Sequence, residues 1–98
     1  MDFRVSALLS LQRSLWDLVT PNLRGVAATI EHPKILVRFL FENRPTVEDR
    51  ENVSEAETYT IADFTEGMDI VFTPDWVSMS QPRELAEGEQ WIYLRKEE

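Results

Sequence analysis

Apolar residues recur with a helical period in two stretches of this chain and alternate with polar ones in the segments between and after them. Over residues 4–19, Val5, Leu8, Leu11 or Gln12, Leu15, Leu18 and Val19 fall at helical spacing, and Leu9 and Trp16 widen the stripe. Arg4, Ser6, Ser10, Arg13, Ser14 and Asp17 largely fall outside it. This predicts an amphipathic helix covering the core, stopped by Pro21, which lacks an N–H and disfavours helical geometry at Thr20. Residues 23–31 then alternate, with Val26, Ala28 and Ile30 on one side and Ala27, Thr29 and Glu31 on the other. After a turn at His32-Pro33-Lys34, residues 35–42 place Ile35, Val37, Phe39 and Phe41 on one face and Leu36, Arg38, Leu40 and Glu42 on the other. Two alternating runs joined by a short turn predict an antiparallel hairpin.

A second helix is expected after the break at Asn43-Arg44-Pro45. Thr46 is placed as its N-cap, and with Asp49 three residues on it approximates a capping box. Glu48, Asp49 and Glu51 in the first turns suit the positive end of the helix macrodipole. At about 100° per residue, Val53, Ala56, Thr60 and Phe64 share one side, and Glu48, Glu51 and Glu55 fall opposite. Arg50 and Glu57 lie close to the apolar stripe and fit it badly. Gly67 supplies the stop.

In the last third, residues 68–79 read as a short edge strand bent at Pro74-Asp75, because proline cannot donate to a ladder. Residues 80–89, with Pro82 and Gly88, read as a loop. Residues 90–96 form the final strand, with Ile92 and Leu94 on one face and Trp91, Tyr93 and Arg95 on the other, before a frayed tail at 96–98. The order helix, hairpin, helix, two strands predicts a single two-layer α+β domain over residues 1–98. Its sheet is expected to be four-stranded and antiparallel, with both helices on one face. The other face would be partly open and lined by Leu36, Arg38, Leu40, Trp91, Tyr93 and Arg95.

Charge narrows the function classes. The net charge is −8, and it is unevenly spread: residues 1–41 carry +2, residues 42–66 carry −6 and residues 67–98 carry −4. Phosphate neutralisation needs clustered Lys and Arg, so direct binding of nucleic acid or an anionic membrane is disfavoured. A basic protein partner suits the field, since complementary charge raises association rates. The absence of cysteine excludes disulfides, thiolate catalysis and Cys-based zinc sites. No segment reaches the ~20 apolar residues of a membrane span. The first apolar run is broken by Gln12 and Arg13 and lacks a small-residue cleavage site, which places the chain in the cytoplasm.

Chemistry has little support. His32 is the only histidine and sits in a turn with no nucleophile or orienting partner at a recognisable spacing. The serines form no hydrolase motif, three glycines are too scattered to cradle phosphate, and the acids do not follow a calcium-loop spacing. No catalytic residue, metal site or cofactor is expected. Two surfaces remain as candidates. One is electrostatic, with Glu48, Glu51, Glu55, Asp63 and Glu66 on or near the second helix; its bland alternative is a solvated face. The other is the sheet face with Arg38, Trp91, Tyr93 and Arg95, where aromatics and arginine suit a hot spot and burial of the two rings is the alternative.

With TPNLRGV at 20–26, ADF at 62–64 and WIYLRKE at 91–97, the chain resembles a group of small acidic bacterial proteins, some of which look like the immunity partners of secreted or contact-delivered toxins. The resemblance spans nearly the whole length and implies a cytosolic α+β protein that blocks a toxin by masking its active site. It carries over no catalytic residue. The leading expectation is therefore a protein-binding inhibitor of a basic, nuclease-type toxin. A homodimer joined through the aromatic sheet face is the second reading, and a small enzyme using paired carboxylates the third.

Overall fold

The computed structural model describes residues 2–64 and 66–97, and its elements follow the predicted order: α1 (Phe3–Ser14), β1 (Leu23–Glu31), β2 (Lys34–Phe41), α2 (Val47–Ala62), β3 (Asp69–Trp76) and β4 (Gln90–Leu94). The four strands form one sheet in the order β3-β2-β1-β4. Both helices contribute to a core built on one face, where Ala7, Leu11, Val53 and Ala56 meet Val26, Ala28, Val37, Phe39 and Phe72.

The sheet is mixed, which corrects the expectation of an antiparallel one. β1 pairs antiparallel with β2 and with β4, whereas β3 pairs parallel with β2, Asp69 lying beside Lys34 and Trp76 beside Phe41. The reason is one of length. A helix of 16 residues spans about 24 Å, close to the length of the 8-residue β2, at about 1.5 and 3.3 Å per residue. α2 therefore returns the chain to the end where β2 began, and β3 must run the same way as β2. The edge position expected for β3 holds, and the strand runs through Pro74 without interruption.

The first helix differs from its expected form in extent and in facing. α1 begins at Asp2, whose side chain accepts from the Val5 N–H at 2.9 Å, and ends at Ser14 with Leu15 as its C-cap. Asp17 then takes a left-handed conformation (φ 66°), which aspartate tolerates better than most residues, and Leu15 and Leu18 on either side point into the core. The buried face is Ala7, Ser10, Leu11 and Ser14, while Val5 and Leu9 are exposed. Small side chains let α1 approach α2 closely, and Ser10 Oγ donates to Asp63 Oδ2 at 2.7 Å across that seam.

α2 matches its reading more closely. Thr46 and Asp49 complete a capping box: the Thr46 hydroxyl accepts from the Asp49 N–H, and the Asp49 carboxylate accepts from the Thr46 N–H. Val53, Ala56 and Thr60 are buried and Phe64 packs against the core. The helix stops at Ala62 with Asp63 as C-cap, so Gly67 (φ 93°) serves the turn into β3 instead of the helix end. Glu57 also finds its role, its Oε2 accepting the main-chain N–H of Phe72 on β3 at 2.8 Å.

A bulge in β4 overturns the predicted facing of its aromatics. Tyr93 pairs with Val26 but Trp91 pairs with Ala27, leaving Ile92 as the extra residue. Ile92 and Tyr93 both pack against the core, and Trp91 lies on the opposite face of the sheet with Ala27 and Arg38. Gly25 makes room there, since a Cβ at that position would stand 3.1 Å from Trp91 Cζ3 and 3.2 Å from the Tyr93 carbonyl oxygen.

Candidate functional site

The second face of the sheet is partly covered by the segment at 77–89, and four arginines hold that cover in place. Arg24, only 3% exposed, donates through Nη1 to the carbonyls of Val77, Ser78 and Gln81 at 2.8–2.9 Å. Its Nε and Nη2 form a bidentate pair with Glu97 at 2.9 and 3.0 Å. Arg83 donates to the carbonyls of Arg24 and Arg95, and Arg95 bonds Glu42, Glu97 and the carbonyl of Pro21. Arg38 grips Glu89 with two 2.7 Å bonds and reaches Asp75 and the carbonyl of Glu84. The hydrogen bond from Arg24, opposed by desolvation and helped by Arg95, holds the Glu97 carboxyl down at about 2. The Arg38 bond likewise lowers Glu89, and the Glu89 bond raises Arg38.

These bonds decide what the sheet face offers. Arg38 and Arg95, expected as partner contacts, are engaged within the chain; Trp91 is half-buried, and Tyr93 turns inward. The tail expected to fray is tied down at Glu97, while Glu98 lies outside the described residues. The sequence signal for this clasp was present in the arginines at 24, 83 and 95, but arginine spacing alone does not reveal which carbonyls converge.

The outer crest of α2 is different. Glu48, Glu51 and Glu55 are exposed, and among the described residues none of the three makes an ion pair. Glu55 Oε1 accepts the hydroxyl of Tyr59 at 2.8 Å, one turn on. That bond, with the Glu55 charge behind it, raises the Tyr59 pKa, and Asp17 across the seam adds to the effect. Tyr59 lines a depression of about 290 Å³ between the helices with Arg13, Ser14, Ala62 and Asp63. Two residues past Ser14, Trp16 stands 72% exposed, the most exposed aromatic of the fold's large apolar side chains. Sequence reasoning placed Trp16 in the buried stripe and so missed it.

The other two acids of the electrostatic set are placed differently. Asp63 ties the helices together, accepting from Ser10 and pairing with Arg13 at 3.2 Å. Glu66 is exposed beyond the helix end and borders an apolar depression with Ile61, Phe64, Met68 and Ile70. The structure thus brings Glu48, Glu51 and Glu55 onto one surface, and sets Asp63 in the seam between the helices and Glu66 beside the depression at Ile61 and Ile70.

A depression of about 570 Å³ lies at the N-terminus of α2. Two of its carboxylates serve the fold: Asp49 accepts from Asn22 at 2.9 Å, and Glu42 pairs with Arg95 at 2.8 Å. The carboxylates with displaced pKa, Glu89 and Glu97, are lowered, the opposite of what a general acid needs. Among the described residues no group of three His, Cys, Asp or Glu side chains is arranged to hold a metal, and no helix is long and apolar enough to cross a membrane.

A search among curated proteins finds no match. A family model described as MafI2 immunity protein matches residues 4–97, from the first turn of α1 through the clasped Glu97. The match covers almost the entire chain and both of its surfaces, and the chain belongs to the MafI2 immunity protein family.

Proposed function

We propose that this chain neutralises a basic, nuclease-type toxin in the cytoplasm by laying the crest of α2 against the toxin's phosphate-binding groove. Membership of an immunity family supports a toxin as the class of partner and inhibition as the role. The observation that carries the finer reading is the row Glu48, Glu51 and Glu55, exposed and without cationic partners among the described residues, while the arginines of the sheet face are paired. Glu48 and Glu55 stand about 10 Å apart along the helix axis, a span over which a groove built for a polyanion presents several cations. Tyr59, half-exposed and bonded to Glu55, stands beside the row and supplies an aromatic anchor that charge alone lacks, since arginine or lysine stacked on an aromatic ring is attracted by its face.

The test measures association with a purified toxin domain that the wild-type chain binds. Charge reversal of all three positions (Glu48→Lys, Glu51→Lys, Glu55→Lys) is expected to slow association about tenfold or more at low salt and to flatten its salt dependence. Circular dichroism reports whether the fold is intact. Equal association rates and an equal salt slope for a folded triple variant would remove the acidic crest from the interface.

A further inference from the structure

One row of α2 carries the acidic crest down into the seam with α1. Glu51, Glu55, Tyr59 and Asp63 stand four residues apart, and each step of four advances about 40° around the helix and about 6 Å along it. The row therefore begins on the outer surface and ends against α1, where Asp63 Oδ2 accepts from Ser10 at 2.7 Å and from Arg13 at 3.2 Å. Its third member, Tyr59, is 50% exposed, and the bond from its hydroxyl to Glu55 Oε1 ties the ring to the crest. The same ring borders the depression of about 290 Å³ that Arg13, Ser14, Ala62 and Asp63 complete.

The polar groups around this depression sort by what they still offer. Ser14 donates its hydroxyl proton to the Leu11 carbonyl, and Tyr59 donates its own to Glu55. The second oxygens of Glu55 and Asp63, Oε2 and Oδ1, accept no bond among the described residues. Asp17 adds its charge near Tyr59, so three carboxylates stand about the ring and the depression against one cation, Arg13. Arg13 is loosely held, because its pair with Asp63 is exposed on both sides, at 58% and 40%, and exposed pairs contribute little. Open acceptors, excess negative charge and an aromatic face suit a cation. A guanidinium suits them better than an ammonium: its planar fork bridges two acceptors and lies flat on a ring, whereas an ammonium is compact and strongly hydrated. We infer that the depression seats one arginine side chain of the toxin, which lies against the ring of Tyr59 and shares Asp63 with Arg13. The inference rests on the reading of the α2 crest as the toxin-binding surface and places the anchor of that interface at the inner end of the row. The outer glutamates then act on the approach of the toxin, and Tyr59 on its retention, so the two are read in different rates.

Dissociation kinetics test it, with the full chain and a purified toxin domain that the wild-type chain binds. Tyr59→Ala is expected to raise koff at least about tenfold, and Tyr59→Phe, which keeps the ring, by about threefold or less. Replacing the arginines of the toxin domain by lysine, one at a time, identifies the seated one. Its replacement is expected to raise koff about tenfold against the wild-type chain and by less than about twofold against Tyr59→Ala, since the two changes remove the same contact. If Tyr59→Ala does not fold, Tyr59→Leu, which keeps bulk without an aromatic face, takes its place in the cycle. An unchanged koff for the folded variant overturns the inference, as does a scan in which no arginine is coupled to Tyr59. The outcome is separable from that of the crest. Slower association after reversal of Glu48, Glu51 and Glu55 with no coupled arginine removes the seat and keeps the crest; unchanged association with a coupled arginine does the reverse.

Discussion

Replacing Arg24 with methionine is expected to cost about 3 kcal/mol of stability without removing the fold. Methionine keeps most of the buried volume, so the loss is polar. Three carbonyls, of Val77, Ser78 and Gln81, lose their shared donor, and Glu97 loses its bidentate partner while keeping Arg83 at 3.3 Å and Arg95 at 3.0 Å. Breaking one side of a buried ion pair costs roughly 3–5 kcal/mol, and the lower figure applies because two cations remain on Glu97 and the carbonyls can turn to water. For a chain of this size, about 3 kcal/mol lowers Tm by roughly 15 °C. Thermal and urea unfolding followed by tryptophan fluorescence give the global value. Limited proteolysis with trypsin gives the local one, since release of the 77–89 segment should open the bond after Arg83 to cleavage. A loss below about 1 kcal/mol, with no change in cleavage at Arg83, would show that the guanidinium does not organise that segment.

The Glu97 carboxyl supplies a pH-dependent term. Its pKa is held at about 2 in the folded chain against 4.5 ordinarily, so the stability it contributes is complete above about pH 4.5 and is lost as pH falls towards 2. Full conversion of that displacement would give about 3 kcal/mol, and screening at the rim of the fold reduces it to about 1–2 kcal/mol; Glu97→Gln should remove this slope from urea midpoints measured between those pH values. Asp49→Ala breaks the reciprocal cap and the bond from Asn22, and should cost about 2 kcal/mol in chemical unfolding, with Thr46→Ala costing about 1 kcal/mol. Thr60 is fully buried with no hydrogen-bond partner for its hydroxyl among the described residues, so Thr60→Val should be neutral or stabilise by up to about 1 kcal/mol in the same assay.

Much of this fold is legible from periodicity, and the parts that are not have identifiable causes. The cap at Thr46 and Asp49, the buried line Val53, Ala56 and Thr60, and the antiparallel pairing of β1 with β2 all follow from local rules that tertiary packing did not override. The direction of β3 was also within reach, because a helix as long as β2 returns the chain to the end where β2 began, whereas the element order alone does not distinguish a parallel from an antiparallel β3. Two features were hidden. The bulge at Ile92 changes side-chain parity by one residue, which no alternation count detects. The facing of α1 was misjudged because serine counted as polar; Ser10 and Ser14 are inside because they are small and because Asp63 and the Leu11 carbonyl accept their hydroxyls. The same misjudgement placed Trp16 inside. On the candidate surface, the row of glutamates was visible from spacing, whereas the freedom of that row from ion pairs depends on where the arginines go.

That last dependence locates the source of the protein's acidic field. Residues 42–66 and 67–98 both carry excess negative charge, so composition alone gives two acidic regions. In the fold, Glu42, Asp75, Glu89 and Glu97 are met by Arg24, Arg38, Arg83 and Arg95, so these four carboxylates of the sheet side are compensated within the chain. The crest of α2 carries a row of carboxylates without ion pairs among the described residues, where Glu51 and Glu55 are four residues apart and repel by about 0.2–0.5 kcal/mol. Neutralising substitutions therefore have opposite consequences on the two sides. Glu48→Gln, Glu51→Gln and Glu55→Gln together should leave stability unchanged or slightly raised while weakening the salt dependence of toxin association. Glu89→Gln should lower stability by about 1–2 kcal/mol through loss of the bidentate Arg38 pair and leave that salt dependence in place. Unfolding and association rates measured on the same two variants separate the roles; a stability loss on the crest, or a flattened salt slope from Glu89→Gln, would reverse the assignment.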